Sequence, residues 1–255
     1  MCGRIVQSSS PEEIAREFGA AIDPMMRGTW QPHWNVAPTA TAAVIAPHAE
    51  VEDAHGTVVH ERLLTYARWG LVPHWAKDES LGNRLFNARA ETVETLPSFR
   101  DAFKRGRVIV PIDAFYEWEN PEHLEALGTP IPKKAPKQPW AFLPANGAHF
   151  ALAGLASIRV GANGAPLRTF TLITTEANAV VGHIHDRMPV MLNTLNEHAA
   201  WLDERTPISA LRSLLGPAPD ALVHSRRVSR AVSNARNEGP QLLDEIPEEN
   251  AGLGL

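Results

Sequence analysis

Four short stretches of this 255-residue chain carry residue types that can do chemistry together. The first holds its only cysteine, Cys2, in the context Met1-Cys2-Gly3-Arg4. Aminopeptidases remove an initiator methionine when the next side chain is small, so the mature chain is expected to begin with cysteine and to set a free α-amine beside a thiol. That pair is a 1,2-aminothiol. Its amine has a reference pKa of about 7.7–8.0 and its thiol about 8.5, so both nucleophilic forms are populated near neutral pH. It can condense with an aldehyde to an imine and then close through sulfur to a five-membered thiazolidine. It can also use the amine as base and attack an amide. A free cysteine is otherwise a small buried hydrophobe.

The second stretch is Asn87-Ala88-Arg89-Ala90-Glu91-Thr92. If it is extended, Asn87, Arg89 and Glu91 share one face, offering an orienting amide and a guanidinium that can hold a phosphate; the plain alternative is an edge strand with a solvated face. The third is Phe115-Tyr116-Glu117-Trp118, a carboxylate among three aromatics. Desolvation there raises a carboxyl pKa toward the range useful for giving and taking protons near pH 7, unless Glu117 is only a partly exposed strand residue. The fourth is His183-Ile184-His185-Asp186-Arg187-Met188-Pro189. In extended chain His183, His185 and Arg187 share a face, a proton-transfer group next to an anion clamp. His-x-His can also chelate, but no further Cys/His cluster or HExxH spacing accompanies it, so neither a metal nor any other cofactor is expected.

Composition bounds the class. A single thiol forms no internal disulfide and supplies too few soft ligands for a structural zinc site, which points to a reducing compartment, the cytoplasm. No run approaches the roughly 18 apolar residues of a membrane span, so no membrane partner is expected. The net charge is −5, from 24 basic and 29 acidic residues. Four of the acids (Asp244, Glu245, Glu248 and Glu249) fall in a Gly/Pro/Glu-rich tail, leaving a nearly neutral body on which local basic clusters can hold a polyanion.

The elements that must position these residues are mostly strands. Apolar patterning predicts strands at Ala42–Ala46, Thr57–Trp69, Val108–Ile112, Phe115–Trp118, Trp140–Leu143, Phe150–Leu155 and Phe170–Thr174. Ser10-Pro11-Glu12-Glu13 is a capping box that opens a short helix. Two later helices are predicted, over Leu195–Leu202 and from Thr206-Pro207 to Gly216. The Asn120–Pro139 segment holds five prolines and reads as a surface excursion that does not divide the chain. A single α+β domain over residues 1–238 follows, with a loosely held acidic tail from 239 to 255.

Met1–Arg4, Asn35-x-x-Pro38, Trp69-Gly70-Leu71-x-Pro73-x-Trp75, Asn87–Thr92, Phe115–Trp118, Phe170–Asn178, His185–Pro189 and Val228-Ser229-x-x-Val232 stand in an order that resembles the SRAP family, abasic-site-processing proteins first named SOS response-associated peptidases. The resemblance covers nearly the whole chain and implies a barrel-like, mostly antiparallel sheet flanked by short helices. It implies binding of single-stranded DNA containing abasic sites and a covalent crosslink, a thiazolidine between Cys2 and the ring-opened sugar aldehyde. It also implies roles: Cys2 as nucleophile, Asn87 as an orienting amide, Glu117 as proton shuttle, His185 as an aid to sugar-ring opening and crosslink reversal. Arg4, Arg89 and Arg187 would grip phosphates, and Pro38, Trp75, Trp118 and Thr174 would supply wall and stacking contacts. Self-processing that exposes Cys2 and a lyase-type activity belong to the same expectation, with the protein acting as a monomer. Outside the resemblance, an N-terminal-nucleophile amidohydrolase of glutaminase type and a non-covalent single-strand-binding module are the alternatives.

Overall fold

Alternation along the strands decides which core each side chain enters. In the computed structural model, which describes residues 2–52, 58–129, 136–162 and 164–247, Ala42 and Val44 face one core while Ala43 and Ile45 face another, as a period of two requires. In chain order the strands are β1 (Ile5–Gln7), β2 (Ala20–Ile22), β3 (His33–Val36), β4 (Thr41–Glu52), β5 (Val58–Trp69), β6 (Asn87–Arg89), β7 (Arg107–Ile112), β8 (Ala114–Trp118), β9 (Pro139–Pro144), β10 (Phe150–Val160), β11 (Pro166–Glu176), β12 (Arg187–Pro189) and β13 (Val223–Arg227). The α-helices are α1 (Pro11–Phe18), α2 (Arg100–Arg105), α3 (Pro121–Ala126), α4 (Ala179–Gly182), α5 (Leu195–Leu202) and α6 (Ile208–Ser213).

Strands β5, β4, β7, β10 and β11 follow one another in hydrogen-bonded order, and a parallel pairing of Thr169 and Phe170 with Arg68 and Trp69 closes them into a five-stranded barrel. A second sheet, ordered β13-β9-β8-β1-β3, packs against it. Phe115, Phe142, Trp69, Phe170 and Leu172 fill the core between them, and Cys2 belongs to the same core. The helices α1, α2 and α5 cover another side of the barrel through Phe18, Phe103 and Trp201. This is the expected α+β domain with a barrel at its centre.

Local chemistry explains the elements that carry the site. Both bonds of the capping box form at the start of α1: Glu13 N–H donates to Ser10 Oγ at 3.3 Å, and Ser10 N–H donates to Glu13 Oε2 at 2.9 Å. Gly70 takes φ +128°, and a Cβ there would lie 2.5 Å from the Gly82 carbonyl oxygen. Only a residue without a side chain allows that approach. The approach seats residues 82–86, which are then stitched down: Trp69 Nε1 donates to Phe86 O at 2.8 Å and Leu172 N to Phe86 O at 3.1 Å. Asn87 therefore enters β6 at a fixed height, paired with Leu172 of β11.

Three expectations need correction. His183 and His185 do not share a strand face, because α4 and a turn at residues 183–184 precede β12 and leave His183 exposed. Extended chain from Asn87 stops at Arg89, where a turn held by Thr92 N and Val93 N donating to Arg89 O carries Glu91 away from that face. The chain is not loose directly from Gly239: Leu242 is buried against Tyr116 and Val232, and Ile246 N donates to Arg227 O at 3.0 Å. An apolar Leu in an acidic stretch was enough to dock it. Thr57, residues 130–135 of the excursion and residues 248–255 of the tail lie outside the described residues.

Candidate functional site

Cys2 is carried in on the chain leading to β1. Ile5 pairs with Phe115 and Val6 with Ala114, and Tyr116 N donates to Arg4 O at 2.9 Å. Continued by two residues, this antiparallel register sets Gly3 opposite Glu117, so the β1 side adds no side chain beside the carboxyl, while Trp140 of β9 pairs with Glu117 on its other side. Asn87 reaches the same point from β6: its Nδ2 donates to Cys2 O at 2.6 Å. The other end of that amide, Oδ1, is buried and has no hydrogen-bond partner among the described residues, an acceptor with capacity to receive an N–H or O–H.

Electrostatics tie the remaining groups to this point. Burial pushes the Cys2 thiol up, and the neighbouring Glu117 carboxyl pushes it the same way, so at neutral pH it is a thiol rather than a thiolate. Burial pushes Glu117 up to about 7; the positive amino terminus pulls it down and Asp186 adds to the rise. His185 is lowered to about 4, chiefly by burial and next by the positive amino terminus, with Asp186 opposing. Glu117 acts on the Cys2 thiol, and Asp186 acts on both Glu117 and His185, which places Cys2, Glu117 and His185 around one locus. His185 Nδ1 lies 3.0 Å from Arg187 N and 2.9 Å from Asp186 Oδ1, so the chain immediately after the ring holds that side of it. The locus thus holds a carboxyl close to half-protonated at pH 7 and a neutral imidazole.

The arginines divide into two kinds. Arg4 is tied inward, with Nη1 on Asn35 Oδ1 at 2.7 Å and on Val232 O at 2.8 Å, and its guanidinium lies 5.5 Å from the Trp118 ring centroid. Trp118 Nε1 in turn donates to Ser233 Oγ at 2.9 Å. Arg187 is engaged by Glu91 and by Thr174 O. Arg89 is exposed, at the end of β6. Thr174 is fully buried with its hydroxyl on Ala88 O, so it holds β6 to β11 and offers no open surface. Pro38 is half-buried just past β3, whose Val36 pairs with Ile5.

Trp75 stands apart. It lines a cavity of about 740 Å³ with Pro73, Lys104, Arg105 and Arg168. Arg168 lies six residues along β11 from Thr174, roughly 20 Å at the strand rise. Sequence reading singled out Glu91, Asp186 and Asn35 only as parts of motifs. The first two are the partners of Arg187 and His185, and Asn35, 2% exposed, donates to three carbonyls of the 232–237 segment. Acid–base pairing of neighbours in sequence could have flagged Asp186; nothing local signals Asn35. Among the described residues no cluster of three or more His, Cys, Asp or Glu could hold a metal ion, and no helix is long and apolar enough to cross a membrane.

The chain has relatives among known proteins along nearly its whole length. The family model described as SOS response associated peptidase (SRAP) matches residues 1–235. The abasic site processing protein YoqW of Bacillus subtilis is 36% identical over 246 residues, covering 96% of this chain and 99% of that one. The abasic site processing protein HMCES of Gallus gallus is 29% identical, covering 96% of this chain and 78% of its own. A crystal structure of a protein from Bacteroides thetaiotaomicron superimposes with a TM-score of 0.78 at 21% identity, covering 96% of this chain and all of that one, and shows the shared fold. With nine-tenths of its length matched by the family model, the chain belongs to the SOS response associated peptidase family.

Proposed function

We propose that this protein senses abasic sites in single-stranded DNA and joins Cys2 covalently to the ring-opened sugar. The observation that carries the reading is the convergence of Cys2, Asn87, Glu117 and His185 from four separate stretches of chain. Relatives named for abasic-site processing support it.

Removal of Met1 exposes the Cys2 amine. His185 assists opening of the sugar hemiacetal, which frees the C1′ aldehyde. The amine attacks that carbon, and the protonated Glu117 carboxyl gives its proton to the departing hydroxyl, so water leaves and an imine forms. The Cys2 thiol then adds to the imine carbon; its proton passes to the Glu117 carboxylate and on to the imine nitrogen, closing the thiazolidine. A group near pKa 7 suits both directions of this transfer. A thiol held above its ordinary pKa fits a route in which the amine acts first, and weighs against thiolate attack on an amide. Arg89 meets backbone phosphate directly, while Arg4 holds Trp118 as a surface on which a base can stack.

Incubation of the processed protein with single-stranded DNA containing one abasic site, followed by a denaturing gel, tests the reading. A covalent band is expected with wild type and none with Cys2→Ala. Glutamine hydrolysis in the absence of DNA would favour the amidohydrolase instead.

A further inference from the structure

The excursion after β8 reaches the turn that carries His185. Its helix α3 starts at Asn120, whose side chain accepts from Glu122 N at 3.2 Å, and is anchored by the buried Leu124. From this helix His123 Nε2 lies 2.6 Å from Gly182 O, across 59 residues of sequence. A carbonyl only accepts, so Nε2 is the donor. Gly182 ends α4, a helix of four residues, and its carbonyl is among those with no partner inside the helix. Asn120 N donates to Ile184 O at 3.2 Å. Two of the three carbonyls that immediately precede His185 are therefore held from the excursion. The far side of the same turn is fixed separately, by Ala177 N on Asp186 O at 3.0 Å and Asn178 Nδ2 on Ala218 O at 3.0 Å.

We propose that His123 is a positioning residue for His185: its hydrogen bond to Gly182 O sets the 182–185 turn and so the placement of the imidazole at the Cys2 locus. The proposal rests on the role given to His185 above and assigns a function to the opening part of the excursion, Asn120 and α3. So short a helix as α4 has little stability of its own, and a misplacement on the order of 1 Å costs up to about a hundredfold in rate. The charged groups facing His185 are Asp186 on its own turn, His123 from α3, Lys137 from the approach to β9, and the amino terminus.

The test compares His123→Ala, His123→Gln and His185→Ala, with the His123→Ala/His185→Ala double variant. The first readout needs no reaction: NMR titration of the His185 ring protons. His123→Ala should raise the midpoint from its lowered value toward the ordinary 6.5 or so, and His123→Gln, whose amide can donate to the same carbonyl, should keep it low. The second readout is the rate of covalent capture of abasic single-stranded DNA against affinity for that DNA. His123→Ala should slow capture about tenfold with affinity within about twofold, His123→Gln should recover most of the rate, and in the His185→Ala background His123→Ala should cost nothing more. An unmoved titration midpoint, or a His123→Ala penalty that persists in full without His185, overturns the proposal. A wild type that forms no covalent product overturns the reading of function instead, and the titration still decides whether His123 positions the ring.

Discussion

Arg187 places both terminal nitrogens on the carboxylate of Glu91, at 2.5 and 2.9 Å, and Nη2 also donates to Thr174 O at 2.7 Å. The pair is bidentate, and the Arg187 side chain is largely buried. A phosphate that sought this guanidinium would have to compete with a carboxylate already seated in its fork. Arg89, on β6 at the other edge of β11, is exposed. The two arginines that a motif reading treats alike thus stand differently: under the proposed function the exposed Arg89 would meet the polyanion, while Arg187 is held by Glu91 and Thr174 O beside His185.

Salt dependence separates them. Arg89→Ala should reduce the slope of log affinity against log salt for single-stranded DNA by about 0.7, the value of one phosphate contact. Arg187→Ala should change that slope less and slow covalent capture more. Equal slope losses for both variants would contradict the division.

Glu117 gives a prediction with a sign in pH. Its folded pKa of about 7 lies above the ordinary carboxyl value of 4.5, so the folded protein binds more protons than the unfolded chain between those values and stability falls as pH rises through that window. Glu117→Gln removes this slope: relative to wild type it should gain stability, on the order of 3 kcal/mol, between pH 4.5 and 7. Urea denaturation at pH 5 and pH 8 measures it. The same substitution should slow covalent capture by about 10² or more while affinity changes little.

His185 titrates on the other side of neutrality. Lowered to about 4, it is neutral through the physiological range, and NMR titration of its ring protons should give a midpoint near that value. A midpoint near the ordinary 6.5 or so would mean that the ring is not buried at the site.

Leu242 tests the docking of the tail. It is 2% exposed in a cluster with Val6, Tyr116 and Val232. Leu242→Ala should cost about 2–4 kcal/mol of unfolding free energy, whereas a tail held loosely from Gly239 would make the substitution silent.

The barrel strands were legible because Val108–Ile112 and Phe150–Leu155 are apolar runs long enough to pattern, and α1 because its capping box is local. The turn at residues 183–184 was not, since a His-x-His-x-Arg spacing reads the same in a strand as in a turn that long-range bonds from α3 impose. Cys2, Asn87, Glu117 and His185 could be named by type and motif. Their convergence depends on Gly70 meeting Gly82 and on β1 pairing with β8, contacts between distant segments that no local pattern encodes.

The central claim is that Cys2 ends as a thiazolidine, and intact-mass analysis of the product with abasic single-stranded DNA tests it most directly. The predicted mass is that of the protein lacking Met1 plus the DNA, less one water, unchanged by borohydride and with Cys2 closed to alkylation. A product whose mass rises by two hydrogens on borohydride treatment and whose Cys2 still alkylates would be a simple imine, and would contradict the account.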